Sequence, residues 1–171
     1  MWILEWHSTS HRPVVAQVDD HLALANSTHS SLECLIQAGP VHTTWIATMA
    51  FYKALHVVEA MFAKLGSKRA TTHEERERAL KAERRFRNIF EHYQPLSNAS
   101  KIARYLSDRS GTGYKSFDDY MTPEKALAEL IHHRLHQIEV STMKLIGEPA
   151  PKLLKCNTLP KQFDMGGSEV R

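Results

Sequence analysis

The sequence predicts an all-α protein, an antiparallel bundle of four to five helices. Apolar residues recur at helical spacing through most of the 171 residues, and runs of alternating strand character are nearly absent. Glycine and proline punctuate these stretches at short intervals, which leaves brief connections between the helices. Hydrophobic content of 42% beside 24% charged residues fits one well-buried domain and excludes a disordered chain. Residues 1–13 read as an N-terminal extension, 14–147 as the helical domain and 148–171 as an extended or disordered tail.

The first helix is expected over 14–38, where Val15, Val18, Leu22, Ala25, Leu32, Leu35 and Ile36 form an interrupted apolar stripe. Gly39-Pro40 ends it, because glycine caps a helix readily and proline cannot continue its hydrogen bonding. The second helix, about 42–65, is apolar on more than one face and should lie at the centre of the bundle. The third opens at Thr72, whose spacing to Glu75 is that of a capping box, and is expected to run to Pro95. A short helical piece, ASKIARYLS, and a Gly/Ser/Asp-rich loop follow. Thr122-Pro123-Glu124, a cap followed by proline at the first helical position, opens the last helix, which should reach about Ile146.

Several function classes are disfavoured. No stretch approaches the roughly 18 apolar residues of a spanning helix, and MWILEWHSTSHRP resembles neither a signal peptide nor an anchor. Cys34 and Cys156 make neither a disulfide framework nor a zinc site between them, so a cytoplasmic protein with reduced thiols and no membrane association is expected. His132, His133 and His136 form H-H-x-x-H, without the glutamate of a zinc-protease motif; no metal and no cofactor is expected. Gly111-Thr112-Gly113 is too short to cradle a phosphate. The formal charge of +3 permits a nucleic-acid partner without requiring one.

One segment of the third helix holds candidate chemistry: RNIFEH, with Arg87 five residues before His92. The spacing alone is near chance, and on an ideal helix the two side chains stand about 140° apart around the axis. Glu91, four residues after Arg87, offers a simple intrahelical ion pair instead. Arg84, Arg85 and Arg87 have fewer acidic neighbours than the arginines before them, so this end of the helix is locally basic.

Context adds a resemblance. Together with R-N-x-x-x-H, the segments WIATMAFYKALHVVEAMFAKLG at 45–66, THEERERAL at 72–80 and YQPLSNASKIARY at 93–105 resemble the HEPN superfamily (higher eukaryote and prokaryote nucleotide-binding). The likeness covers about residues 15–147. It implies an α-helical bundle that cleaves RNA without a metal, the 2′-hydroxyl attacking the adjacent phosphorus. His92 would be the acid/base and Arg87 the phosphate clamp, with Asn88, Arg84, Arg85 and Tyr93 supporting catalysis or RNA binding. It further implies a homodimer in which two such pairs face one cleft, acting as a toxin or phage-defence effector. The neutralising partner would be an antitoxin protein, of the nucleotidyltransferase type or another. Where members modified by such an antitoxin carry tyrosine two residues after the histidine, this chain has Gln94, and Tyr93 comes one residue early. A second polar set, His56, His73, Arg76, Ser100, Arg104 and Tyr105 with Tyr93, forms its own site or knits the helices together. The alternative function is a non-catalytic HEPN module that binds nucleotide, RNA or a partner protein.

Overall fold

The computed structural model describes residues 17–67, 70–147 and 153–163. They form an all-α helical bundle, with no β-strand among the described residues beyond an isolated bridge between Ser107 and Gly113. Helix α1 (Val18–Gln37) buries Leu22, Ala25, His29, Leu32 and Ile36, spaced alternately three and four apart, so one stripe faces inward. Its first turn is closed by Gln17 and Asp20, the Gln17 N–H donating to the Asp20 carboxylate at 2.7 Å. Gly39, at φ +105°, and Pro40 then turn the chain through a 3₁₀ step into α2 (Thr43–Lys64).

Helix α2 is buried along most of its length and packs against α1 and the later helices, the central position that its apolar faces predict. With its 3₁₀ lead-in it spans Pro40–Lys64 and is, by length and composition, apolar enough to cross a membrane, which the sequence reading did not anticipate. Of its most apolar window 72% is buried inside the bundle, the behaviour of a core helix.

Helix α3 (His73–Ala82) begins with the expected box. The Thr72 hydroxyl accepts from the Glu75 N–H at 3.1 Å, and the Glu75 carboxylate accepts from the N–H groups of Thr71 and Thr72. Thr72→Ala should therefore cost about 1 kcal/mol in urea unfolding, with the fold otherwise unchanged.

The helix expected from Thr72 to Pro95 is in fact two. Glu83 is extended (φ −107°, ψ 125°), a 3₁₀ turn covers Arg84–Phe86, and α4 runs over Arg87–Tyr105. On an unbroken helix Phe86 would lie about 120° from Leu80, turned away from the core. The break lets both side chains be fully buried, with Phe86 edge-on to Phe62 at 5.8 Å. Pro95 does not end a helix but sits inside α4. The buried stripe of Ile89, Tyr93, Leu96, Ala99 and Ile102 passes it in phase, and that packing offsets the roughly 3 kcal/mol penalty of an interior proline. Of the expected separate piece ASKIARYLS, residues 99–105 are the last part of this same helix.

Helix α4 ends at Leu106 in the left-handed region. In the loop after it, the Asp108 carboxylate accepts from the N–H groups of Ser110 and Thr112, so the glycine-flanked turn is closed on itself. Helix α5 (123–146) starts at the Thr122 cap, widens into π register over Ala126–Leu135 and returns to α over His136–Ile146. Wide-register segments of this kind are rare and tend to mark functional stretches.

Residues 153–163, expected to be extended or disordered, pack on the bundle and bury Leu153, Cys156, Leu159 and Phe163. Polar bonds fasten this strap: Leu154 N–H donates to the Asn26 side chain at 2.8 Å, and the carbonyl of Pro160 lies 3.0 Å from His132 Nε2. The rest of 148–171 lies outside the described residues, as does the 1–13 extension.

Candidate functional site

Arg87 and His92 take different partners. Arg87 opens α4 with its side chain 79% exposed and is ion-paired with Glu91 at 3.0 Å. It lines a cleft of about 490 Å³ with Lys81, Arg84, Phe90 and Glu91. Arg85 pairs with Glu83 and lies over the Phe86 ring. His92, half-buried, is turned against α5, where Arg134 Nη1 approaches its Nδ1 at 3.3 Å. With arginine as the donor, Nδ1 accepts and the neutral ring carries its proton on Nε2. Asn88, one turn before His92 on the same face, donates to the Ser141 hydroxyl at 2.6 Å. The structure thus joins His92 and Asn88 to α5 within one chain, and does not join Arg87 to them.

The surroundings of His92 form a compact charged group. The His133 ring stands edge-on to it, centroids 5.2 Å apart. The Glu129 carboxylate reaches His133 Nδ1 at 3.4 Å and Arg134 Nη2 at 3.8 Å. Burial, then the charges of Arg134 and His133, hold the His92 pKa below its ordinary value, with Glu91 opposing. A neutral imidazole beside a partly exposed guanidinium is therefore the resting state near pH 7. Sequence reading missed Arg134 because it lies 42 residues from His92, and treated His133 as part of a polar helix face.

The second polar set is largely gathered in one place, at the junction of α2, α3 and α4. Arg76 is buried and ion-paired with Glu59, and also donates towards the carbonyls of Ala70 and Thr72 and towards His73 Nδ1, each at 3.4 Å. His73 packs on Phe51, which in turn packs on Tyr93. Tyr93 is fully buried rather than facing a surface where RNA could reach it, and burial drives its pKa up. His56 stacks on His21 and, like His73, has its pKa lowered chiefly by burial. Ser100 is buried, its carbonyl accepting from Arg104 at 3.1 Å. Arg104 covers the ring of the exposed Tyr105. Alongside, Glu77 binds Arg109 through both carboxylate oxygens, and Arg109 also reaches Ser97. These contacts tie three helices and a loop together.

A third polar centre went unnoticed in the sequence. Lys53 of α2 is completely buried, paired with the equally buried Glu139 of α5, and donates to the Leu154 carbonyl at 2.6 Å. It lies 3.0 Å from His29 Nδ1. Glu139 also accepts from the Cys156 N–H at 2.9 Å, so the centre anchors the C-terminal strap. The signal for it was a lysine inside an otherwise apolar helix. Such a group must find a distant partner, because a buried unpaired charge is too costly.

Burial, and then the Lys53 charge, pull the His29 pKa down from 6.5 to about 4. An unfolded histidine takes up its proton near 6.5, the folded one only near 4, so stability present above 6.5 is lost as pH falls through this window. The loss should total about 3 kcal/mol. His56, His73 and His92, also lowered, act in the same direction. The urea midpoint should fall between pH 7 and 5, and less steeply in His29→Gln.

Comparison of the chain with protein-family models, with characterised proteins and with solved structures gives no match.

Proposed function

We propose that the chain is a metal-independent RNA endonuclease of HEPN type, with His92 and Arg134, rather than His92 and Arg87, at its reacting centre. The observation that supports this reading is the neutral His92 held against Arg134 and His133 across α4 and α5. Transesterification of RNA needs few groups: a base for the 2′-hydroxyl, a cation for the phosphate and a proton for the leaving oxygen. A phosphate engaging the Arg134 guanidinium takes its donors away from His92 Nδ1. That nitrogen is then free to accept the 2′-hydroxyl proton as O2′ bonds to phosphorus. The bond from phosphorus to the 5′-oxygen breaks, and the proton that His92 has taken up passes to that oxygen. The products are a cyclic phosphate and a 5′-hydroxyl. Asn88, fixed by Ser141, steadies the face one turn away. Arg84 and Arg87, which line a cleft of their own, would bind flanking phosphates.

In this reading the protein works in the cytoplasm as a toxin or defence effector, as a homodimer, against a neutralising antitoxin. The purified protein should cut a labelled mixed-sequence RNA in EDTA and leave 5′-hydroxyl ends. The second reading, a non-catalytic HEPN module, draws on the Arg87–Glu91 ion pair, which leaves Arg87 facing solvent. It predicts that RNA or nucleotide raises the unfolding temperature with no cleavage.

A further inference from the structure

Next to the buried Lys53–Glu139 pair, the strap brings a third type of donor onto α5. His136 and Glu139 lie three residues apart, on one helix face. Cys156, from the strap, closes on that face with its thiol fully buried. An imidazole nitrogen of His136, a Glu139 carboxylate oxygen and Cys156 Sγ all lie within 4.8 Å of one another. His136 Nδ1 is buried and has no hydrogen-bond partner among the described residues. A buried ring nitrogen left unanswered, on a residue beside a thiol and a carboxylate, marks an incomplete site.

We propose that His136, Glu139 and Cys156 bind a zinc ion that fastens the strap to α5. One nitrogen, one sulfur and one oxygen suit a borderline cation such as Zn²⁺ and are a poor set for Mg²⁺ or Ca²⁺. Tetrahedral bonds of about 2.0–2.3 Å place ligand atoms roughly 3.3–3.8 Å apart, so the three groups need close in by only about 1 Å. Lys53 holds Glu139 Oε1, while Oε2 accepts from the Cys156 N–H; the contact of the Cys156 thiol with this carboxylate is lost when the thiol deprotonates, and a carboxylate oxygen keeps a lone pair for a metal. The fourth position opens on a cleft of about 420 Å³ that His136 and Glu139 line with Met143, Lys144 and Lys155, where water completes the tetrahedron. Binding exchanges the thiol proton for the metal: Cys156–SH and Zn²⁺ give the zinc thiolate and one released H⁺, and the weak thiol contact to the Ile131 carbonyl at 3.4 Å is given up. The sequence reading weighed Cys156 for zinc only together with Cys34, and placed it in a tail expected to be extended or disordered.

The test is a cobalt titration of the full chain after EDTA treatment and removal of the chelator, with Co²⁺ as the spectroscopic stand-in for Zn²⁺. One Co²⁺ per chain should bind with a near-ultraviolet thiolate-to-cobalt band and tetrahedral visible bands, all erased by added Zn²⁺. Cys34→Ser, at an exposed thiol, should leave the spectrum unchanged, and Cys156→Ser should abolish the thiolate band. His136→Ala, at a half-buried site that tolerates the change, should stay folded by circular dichroism and bind more than about tenfold more weakly. The proposal is overturned by absence of the band in the wild type, by its survival in Cys156→Ser, by its loss in Cys34→Ser, or by unchanged affinity in folded His136→Ala.

Discussion

Lys53→Met should lower the unfolding free energy by about 3–5 kcal/mol in urea denaturation, the largest loss from any single substitution outside the apolar core. The change keeps the length and apolar character of the side chain, so packing is largely spared. What it leaves is a Glu139 carboxylate with almost no access to water, its remaining contacts among the described residues being the N–H and thiol of Cys156. It also strips the Leu154 carbonyl of its donor. The strap should loosen before the helices do, with amide exchange at Leu154 and Cys156 accelerating more than exchange in α4. Lys53→Met combined with Glu139→Gln should recover part of the loss, because the stranded charge is gone while the amide can still accept from Cys156. A loss below about 1 kcal/mol in the single variant would show that the pair is not desolvated as the structure has it.

The second large effect concerns chemistry. His92→Ala should reduce RNA cleavage by about 10²–10⁴-fold, the range for removal of a positioned acid/base group. The pH profile carries more detail. His92 acts as a base only when neutral, and its pKa is held below 6.5 by burial, by Arg134 and by His133. The acid-side fall in cleavage should therefore lie below the range of an ordinary histidine. Arg134→Gln takes away the larger of the two charges that depress His92, so the acid limb should move to higher pH as the rate drops. A merely structural arginine would lower activity without moving that limb.

The helices whose packing follows from local periodicity were legible in the sequence. The α1 stripe, the Gly39-Pro40 stop, the central position of α2, the Thr72 box and the Thr122-Pro123 start all lie where spacing puts them. The errors share one cause, which is that tertiary burial overrode a local rule. Pro95 is a helix breaker by itself, yet the stripe from Ile89 to Ile102 runs through it in phase, and that phase was readable. The Glu83 break is set by the joint burial of Leu80 and Phe86, which no single helical wheel displays. The strap offers only isolated apolar residues between lysines and prolines. Its order comes from Asn26, Lys53 and Glu139 on other helices. For the site, sequence marked His92 and Asn88, and the resemblance paired the histidine with Arg87 through R-x-x-x-x-H across a dimer cleft. Its partner at contact distance is Arg134, supplied by the wide-register part of α5.

The assignment of the clamp is tested most directly by one comparison: single-turnover cleavage of the same RNA in EDTA by Arg134→Ala and by Arg87→Ala. Loss of a charge-stabilising donor should slow Arg134→Ala by about 10²–10³-fold. Arg87→Ala, which removes an exposed side chain ion-paired with Glu91, should weaken RNA binding a few-fold and leave the bound-state rate nearly intact. The reverse pattern, with Arg87→Ala inactive and Arg134→Ala close to wild type, would contradict a centre built by α4 and α5 of one chain.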